Sequence, residues 1–225
     1  MRCVAISDTH ERADKLVVPD GDVLIHAGDL TMRGEPRELE RAAAWLGKLR
    51  PRFAAVIAIP GNHDFGAERD PAETRALFES HGVTWLVDEA AAVDGVAFYG
   101  SPWQPWFYDW AFNFPRGDDG TVASATWARI PPSTDVLVTH GPPHGILDRT
   151  EDGDLAGCPE LLAAVEARPR IRAHVFGHIH EGYGCANVGA RLFVNASTCD
   201  ARYAAVNPPI AFDAEPAGVA RPSAE

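Results

Sequence analysis

Phe53-Ala-Ala-Val-Ile-Ala-Ile59 runs directly into Pro60-Gly61-Asn62-His63-Asp64. An unbroken apolar run of this length predicts a strand buried on both faces, and the Pro-Gly pair ends it. The next three residues carry an amide, an imidazole and a carboxylate. The same arrangement recurs along the chain. Arg2–Ser7 leads into Asp8-Thr9-His10, and Asp22–His26 into Gly28-Asp29. Asp135–Thr139 leads into His140-Gly141, and His174–Phe176 into Gly177-His178-Ile179-His180. Five β-type runs thus deliver Asp, Asn or His to their C-terminal loops, the edge of an α/β sheet where loops converge and ligands bind.

Between these runs the spacing predicts helices. Glu35–Arg50 places Leu39, Ala42, Ala43, Leu46 and Leu49 at helical intervals, with Pro36 in the first turn and Pro51 beyond the end. Pro71–His81, closed by Gly82, Thr121–Ile130 and Pro159–Ala167 read the same way. Thr84–Val87, Ala90–Val93 and Val96–Tyr99 are short β candidates, the last two joined at Asp94-Gly95. Cys185–Val188 and Arg191–Asn195 form a further hairpin around Gly189-Ala190. Parallel crossovers and hairpins together imply mixed sheets in an α/β fold. A single domain is expected over residues 1–206, followed by a loose Pro- and Ala-rich extension over 207–225.

Composition narrows the function. The 225 residues hold 20 Lys and Arg against 32 Asp and Glu, a formal charge of −12. Such a surface repels a phosphate backbone, which argues against stable nucleic-acid binding. The longest apolar run, Phe53–Ile59, is far below the roughly 20 residues that span a bilayer. The start of the chain lacks the pattern of a signal peptide. Cys3, Cys158, Cys185 and Cys199 are scattered without a C-x-x-C pair and read as ordinary thiols. A cytoplasmic protein is expected, with no membrane partner and no stated oligomeric state.

Seven residues in the strand-end clusters have metal-ligand chemistry: Asp8, His10, Asp29, Asn62, His140, His178 and His180. That is too many for one tetrahedral ion and suits two ions sharing a bridging carboxylate and a bridging water. The set contains imidazole and carboxylate but no thiolate, which admits Mn, Fe, Zn, Co or Ni.

The order D-x-H, G-D, G-N-H-D, H-G and G-H-x-H, spanning residues 8 to 180, resembles the calcineurin-like metallophosphoesterases, with no ligand missing. Ser101-Pro102-Trp103-Gln104-Pro105-Trp106, Trp110-Ala111-Phe112-Asn113, Thr139–Pro143 and His180-Glu181-Gly182-Tyr183-Gly184 are similar to the metallophosphoesterase-domain-containing phosphodiesterases. Protein Ser/Thr phosphatases read G-D-x-x-D-R-G at the second block. Here Met32 stands in place of that acid in Gly28–Gly34, which disfavours that branch.

The resemblance implies a four-layer αββα sandwich of two mixed sheets with the metals at strand C-terminal ends. It implies Asp8, His10 and His180 around one divalent ion, Asn62, His140 and His178 around the other, and Asp29 between them. Manganese is the first expectation, iron or zinc the alternatives. The implied reaction is hydrolysis of small phosphodiesters, cyclic nucleotides within that class, by attack of a hydroxide shared between the ions. His63 would serve the leaving oxygen as an acid, with Asp64 orienting its ring and raising its pKa. In the aromatic loop from Ser101 to about Asp118, Trp103 and Trp106 are the rings on which a nucleobase would stack, and His144 is a rim candidate. His26, inside a strand, reads as packing. Two alternatives stay open: a phosphomonoesterase, and a non-catalytic nucleotide-binding module on the same fold.

Overall fold

In the computed structural model, which describes residues 1–215, β1 (Arg2–Ile6) and β2 (Val23–His26) are followed by α1 (Pro36–Leu49) and β3 (Ala55–Ala58). Then come α2 (Phe65–Arg69), α3 (Pro71–Ser80), β4 (Thr84–Trp85), β5 (Glu89–Val93) and β6 (Val96–Ser101). The second half adds α4 (Thr121–Trp127), β7 (Val136–Thr139), α5 (Pro159–Glu166), β8 (Ala173–Phe176), β9 (Gly184–Val188), β10 (Arg191–Asn195) and β11 (Ile210–Asp213). One sheet has the order β11-β1-β2-β3-β4, the other β5-β6-β7-β8-β10-β9. The pairs within β1–β4, and β6-β7, β7-β8 and β8-β10, are parallel; β11, β5 and β9 are antiparallel edges.

Side-chain alternation explains the layers. On β1, Cys3 and Ala5 face the other sheet, and on β3 Ile57 does the same, meeting Phe98, Val138, Val175 and Val194 in one core. The intervening Val4, Ile6, Val56 and Ala58 pack outward under Leu39, Ala43 and Leu46 of α1 and Phe78 of α3. On the far side Leu137, Phe176 and Phe193 pack under Trp127 of α4 and Leu161 and Val165 of α5. Both faces of each central strand are therefore buried, as the unbroken apolar runs require. The result is the expected four-layer αββα sandwich of two mixed sheets. Local chemistry sets the helix ends. Glu38 accepts the backbone N–H of Glu35 at 3.1 Å ahead of Pro36, and the Cys158 sulfur accepts the Leu161 N–H at the start of α5.

Four features differ from the sequence expectations. β4 is shorter than Thr84–Val87, α4 ends at Trp127, and a single-turn α2 follows Asp64. The segment from 207 is not a loose extension throughout, because Ile210–Asp213 pairs antiparallel with β1, Phe212 opposite Cys3. The cause is a two-residue apolar period, Ile210 and Phe212, which closes the bare edge of β1 and seats Phe212 in the intersheet core. The Pro and Ala content around it hides that period. Residues 216–225 lie outside the described residues.

The two sheets meet at their C-terminal edges. Ser7 bridges Ser197, and Thr198 donates its N–H to the Ser7 carbonyl at 2.8 Å. The loops leaving β1, β2, β3, β7, β8 and β10 converge there.

Candidate active site

The seven proposed ligands come from five strand ends and lie together. Asp8 Oδ1 is 3.4 Å from His180 Nε2 and 4.0 Å from His10 Nε2, and the two Nε2 atoms are 3.3 Å apart. Asn62 Oδ1 is 2.9 Å from His140 Nε2 and 2.8 Å from His178 Nδ1. Asp29 sits between these triplets, its Oδ2 3.8 Å from His10 Nε2 and 3.4 Å from His140 Nε2.

The protonation pattern shows what the cluster suits. A carbonyl only accepts, so each imidazole nitrogen facing one carries the proton. His10 Nδ1 faces the Thr31 carbonyl, His140 Nδ1 that of Ala27, and His180 Nδ1 that of Asp200. In the neutral rings the Nε2 lone pairs then point at one another, at the Asn62 oxygen or at carboxylates. Such a convergence of acceptors is stable only around a proton or a cation, and imidazole, carboxylate and amide oxygen together fit divalent transition metals.

Electrostatics agree. Burial opposes charge on His140, but Asp29 outweighs it and lifts the value to about 9; at His180 burial is outweighed by Asp8, again to about 9. Burial pushes the Asp8 and Asp29 carboxyls up, and the surrounding histidines overcome it and hold both well below the usual carboxylate range. At His10 and His178 burial prevails, lowering them to about 4 and about 3.

The backbone is bent to this purpose. Asp8, His10, Asp29 and His178 all have positive φ, at 51°, 40°, 54° and 68°. Non-glycine residues seldom adopt this region, and they cluster where geometry is over-determined. Gly177 has no room for a side chain: a Cβ there would collide with the Asp8 carboxylate and Ser7. Asp8 is further fixed by the His178 N–H at 3.0 Å and the Ser197 hydroxyl at 2.9 Å.

His63 stands beside the cluster. Its backbone N–H donates to Asp29 Oδ1 at 2.8 Å, and its Nδ1–H to the Met32 carbonyl at 2.9 Å. Trp110 lies against its ring with centroids 4.2 Å apart. The expected Asp64–His63 pairing is not made. Asp64 instead accepts the N–H groups of Leu30, Thr31 and Gly61 and the Thr31 hydroxyl, so it ties the β2 and β3 loops together. The Nδ1–H of His63 is committed to the Met32 carbonyl instead. Burial, the largest influence, and then Asp29 push the Asp64 carboxyl up to about 6 against those hydrogen bonds.

A cleft of about 190 Å³ opens over the cluster, walled by Phe107, Trp110, Tyr203 and Glu181. The rings singled out from sequence are not among these walls. Trp103 donates Nε1–H to Asp88 at 2.8 Å and stacks near Phe114, bridging two parts of the core. It lies two residues beyond the end of β6, where its ring packs back against the core. Trp106 carries the Arg116 guanidinium 4.8 Å from its ring and lines a separate groove with Phe114 and Leu155. His144 is 3.9 Å from Asp148 and half exposed, away from the cleft. Sequence reasoning passed over Phe107, Trp110 and Tyr203. For Tyr203 a signal existed, since it lies on the loop after β10, a sixth strand end at the same edge. His26 is packed as expected, with Nε2 3.0 Å from the Thr9 hydroxyl.

Two N/O donor triplets joined by a carboxylate, on strand ends and beside a histidine, define a hydrolase site of the two-metal class. Residues 1–182 match the family model of the calcineurin-like phosphoesterases. The chain is 42% identical to human metallophosphoesterase domain-containing protein 1 over 94% of its own length and 70% of that protein's. It is 23% identical to a 3',5'-cyclic-nucleotide phosphodiesterase of Nostoc over 80% of this chain and 64% of the other. A crystal structure from Thermus thermophilus shares the fold with a TM-score of 0.55 at 13% identity, covering 86% of this chain and 88% of that one. The chain belongs to the calcineurin-like phosphoesterase family, whose members are metal-dependent with a dinuclear site, and it is a phosphoesterase.

Proposed function

We propose that the protein is a phosphodiesterase acting on small monoanionic phosphodiesters, nucleotides and cyclic nucleotides within that class. The observation that carries this reading is the composition of the cleft: among the described residues neither Lys nor Arg lines it, and Glu181 does. A phosphomonoester dianion calls for cationic side chains beside the metals, whereas a diester brings one charge and two organic arms that suit aromatic walls. The Nostoc relative's name points to the same chemistry.

In this reading Asp8, His10 and His180 would hold one ion and Asn62, His140 and His178 the other, with Asp29 between them. Manganese is our first assignment, with iron or zinc alternatives for the same donors. When bound, such a pair neutralises phosphoryl oxygens and acidifies a shared water. His63, its Nδ1–H anchored on Met32, presents Nε2 to the leaving side. As an acid it would pass a proton held on Nε2 to the departing ester oxygen, which leaves as the alcohol, while Nδ1–H stays on the Met32 carbonyl. Trp110 keeps the ring in that orientation and excludes water from one face. Asp64 acts only through the loops it joins. The partner is a small molecule. The location is cytoplasmic, in keeping with four unpaired cysteines, three of them buried. Among the described residues no helix is long and apolar enough to cross a membrane.

The test is hydrolysis of bis-p-nitrophenyl phosphate by chelator-stripped protein with and without Mn²⁺, beside Asn62→Ala and p-nitrophenyl phosphate. Mn²⁺-dependent diester turnover, lost in the variant and exceeding monoester turnover, is expected. Faster monoester turnover overturns the diester preference. Nucleotide binding without turnover under any divalent metal would leave a binding module.

A further inference from the structure

The loop after β10 adds no side chain to the two donor triplets, yet it is fixed closely at the rim of the cleft. Asp200 organises it. Its carboxylate accepts the N–H groups of Arg202 and Ala204, each at 2.9 Å, and its own N–H donates to the Ala204 carbonyl at 2.9 Å. Its carbonyl accepts both the Tyr203 N–H at 2.9 Å and His180 Nδ1–H at 2.8 Å. The loop lies beyond residues 1–182, the stretch matched by the family model.

This bonding holds Tyr203 at φ +58°. Bulky side chains rarely occupy the left-handed region, and an exposed turn would ordinarily place Gly or Asn there. The conformation puts the Tyr203 ring edge-on to His10 with centroids 4.7 Å apart, and 5.6 and 5.9 Å from His180 and His63. At the other end of the cleft Phe107 stands 6.4 Å from His178. Each donor triplet therefore has an aromatic wall, and Asp29 lies on the midline. A phosphoryl group seated on that midline sends its two ester arms toward the two walls.

We infer that Tyr203 is a specificity-determining residue whose ring receives one ester arm, so that the site favours diesters with a flat aryl or heteroaryl arm over short alkyl ones. The inference rests on the phosphodiesterase reading. Tyr203 is half-buried, so the strained backbone places its ring at the mouth of the cleft rather than in the core.

The experiment uses ligands that cannot turn over. Mn²⁺-loaded wild type, Tyr203→Phe, Tyr203→Ala and Tyr203→Asn are titrated by calorimetry with diphenylphosphinate and dimethylphosphinate, whose P–C bonds resist hydrolysis. Metal content and thermal midpoint are recorded for each protein. Wild type should bind the diphenyl compound more tightly, and Tyr203→Ala and Tyr203→Asn should weaken it by roughly five- to tenfold. Tyr203→Phe, which keeps the ring, should stay within about twofold, as should dimethylphosphinate in every variant. Tyr203→Asn, suited to positive φ, should not lower the thermal midpoint. Equal loss of both phosphinates, loss of metal from Tyr203→Ala, or loss in Tyr203→Phe as large as in Tyr203→Ala would overturn the assignment. Hydrolysis of bis-p-nitrophenyl phosphate by the same wild-type sample keeps the two readings apart. Without it the diesterase reading falls. With it, but with unselective Tyr203 variants, only the present inference falls.

Discussion

The floor of the cleft and its walls are built from different material. The floor consists of side chains at the ends of central strands, with Asp8, His10, Asp29, Asn62 and His140 buried. Three of its imidazoles are each tied to a backbone carbonyl, and four of its residues are held at positive φ. The walls, Phe107, Trp110 and Tyr203, stand on two loops and stay partly exposed, Phe107 at 52%. Metal donors tolerate little displacement, which is the demand an over-determined floor meets. An aromatic wall tolerates such a shift, so it can be carried by loops that vary while the chemistry stays fixed.

The sharpest break between the two regions should come from the floor. Asp29→Asn removes the carboxylate between the triplets and should cost several kcal/mol of transition-state stabilisation, on the order of a thousandfold in kcat/KM. His63→Gln should come next, slowing an alkyl diester with a poor leaving group by roughly a hundredfold. The same change should barely affect a p-nitrophenyl ester, and parallel rate measurements on the two esters check the difference. Equal losses would move His63 out of the acid role. Trp103→Phe tests the claim that this ring is structural. It should lower stability by about 1–3 kcal/mol through the lost Asp88 hydrogen bond and leave KM unchanged, as denaturant titration and kinetics would show.

A fourth prediction concerns acid. His174 is buried between the sheet and α-helical layer, its Nε2 2.8 Å from the Thr139 hydroxyl, and burial lowers it to about 3. Between roughly pH 6.5 and 3 the unfolded chain therefore binds a proton that the folded chain refuses. Stability is complete above that window and falls as pH drops through it, by up to about 1.4 kcal/mol per pH unit from this residue. His174→Phe should flatten the acid limb of a stability–pH curve. The smallest effect is expected at Trp106→Ala, outside the cleft, with KM within about twofold of wild type.

What could be read from sequence follows the same division. Strand ends carrying Asp, Asn and His are visible because a parallel strand buried on both faces is an apolar run with an abrupt polar stop, as at Phe53–Asp64. The donors therefore came with their positions. The rings did not, because seven aromatics within a dozen residues share one composition and differ only in how the loop turns. Trp103 packs back on the core and Trp110 swings onto His63 through backbone geometry that no periodicity encodes. Asp64 misled for a related reason: adjacency to His63 suggests a partner, yet four donors from the β2 and β3 loops claim its carboxylate first. β11 was hidden because two apolar residues in a Pro- and Ala-rich stretch are too short a period to stand out.

That last strand bears on how the protein is made. β1 leaves the ribosome long before β11, so the strand that carries Asp8 waits through most of synthesis with one row of backbone donors and acceptors unpaired. Until Ile210–Asp213 emerges that edge is open to any extended segment able to pair with it, so the last strand to be made is the one that closes the sheet to other chains.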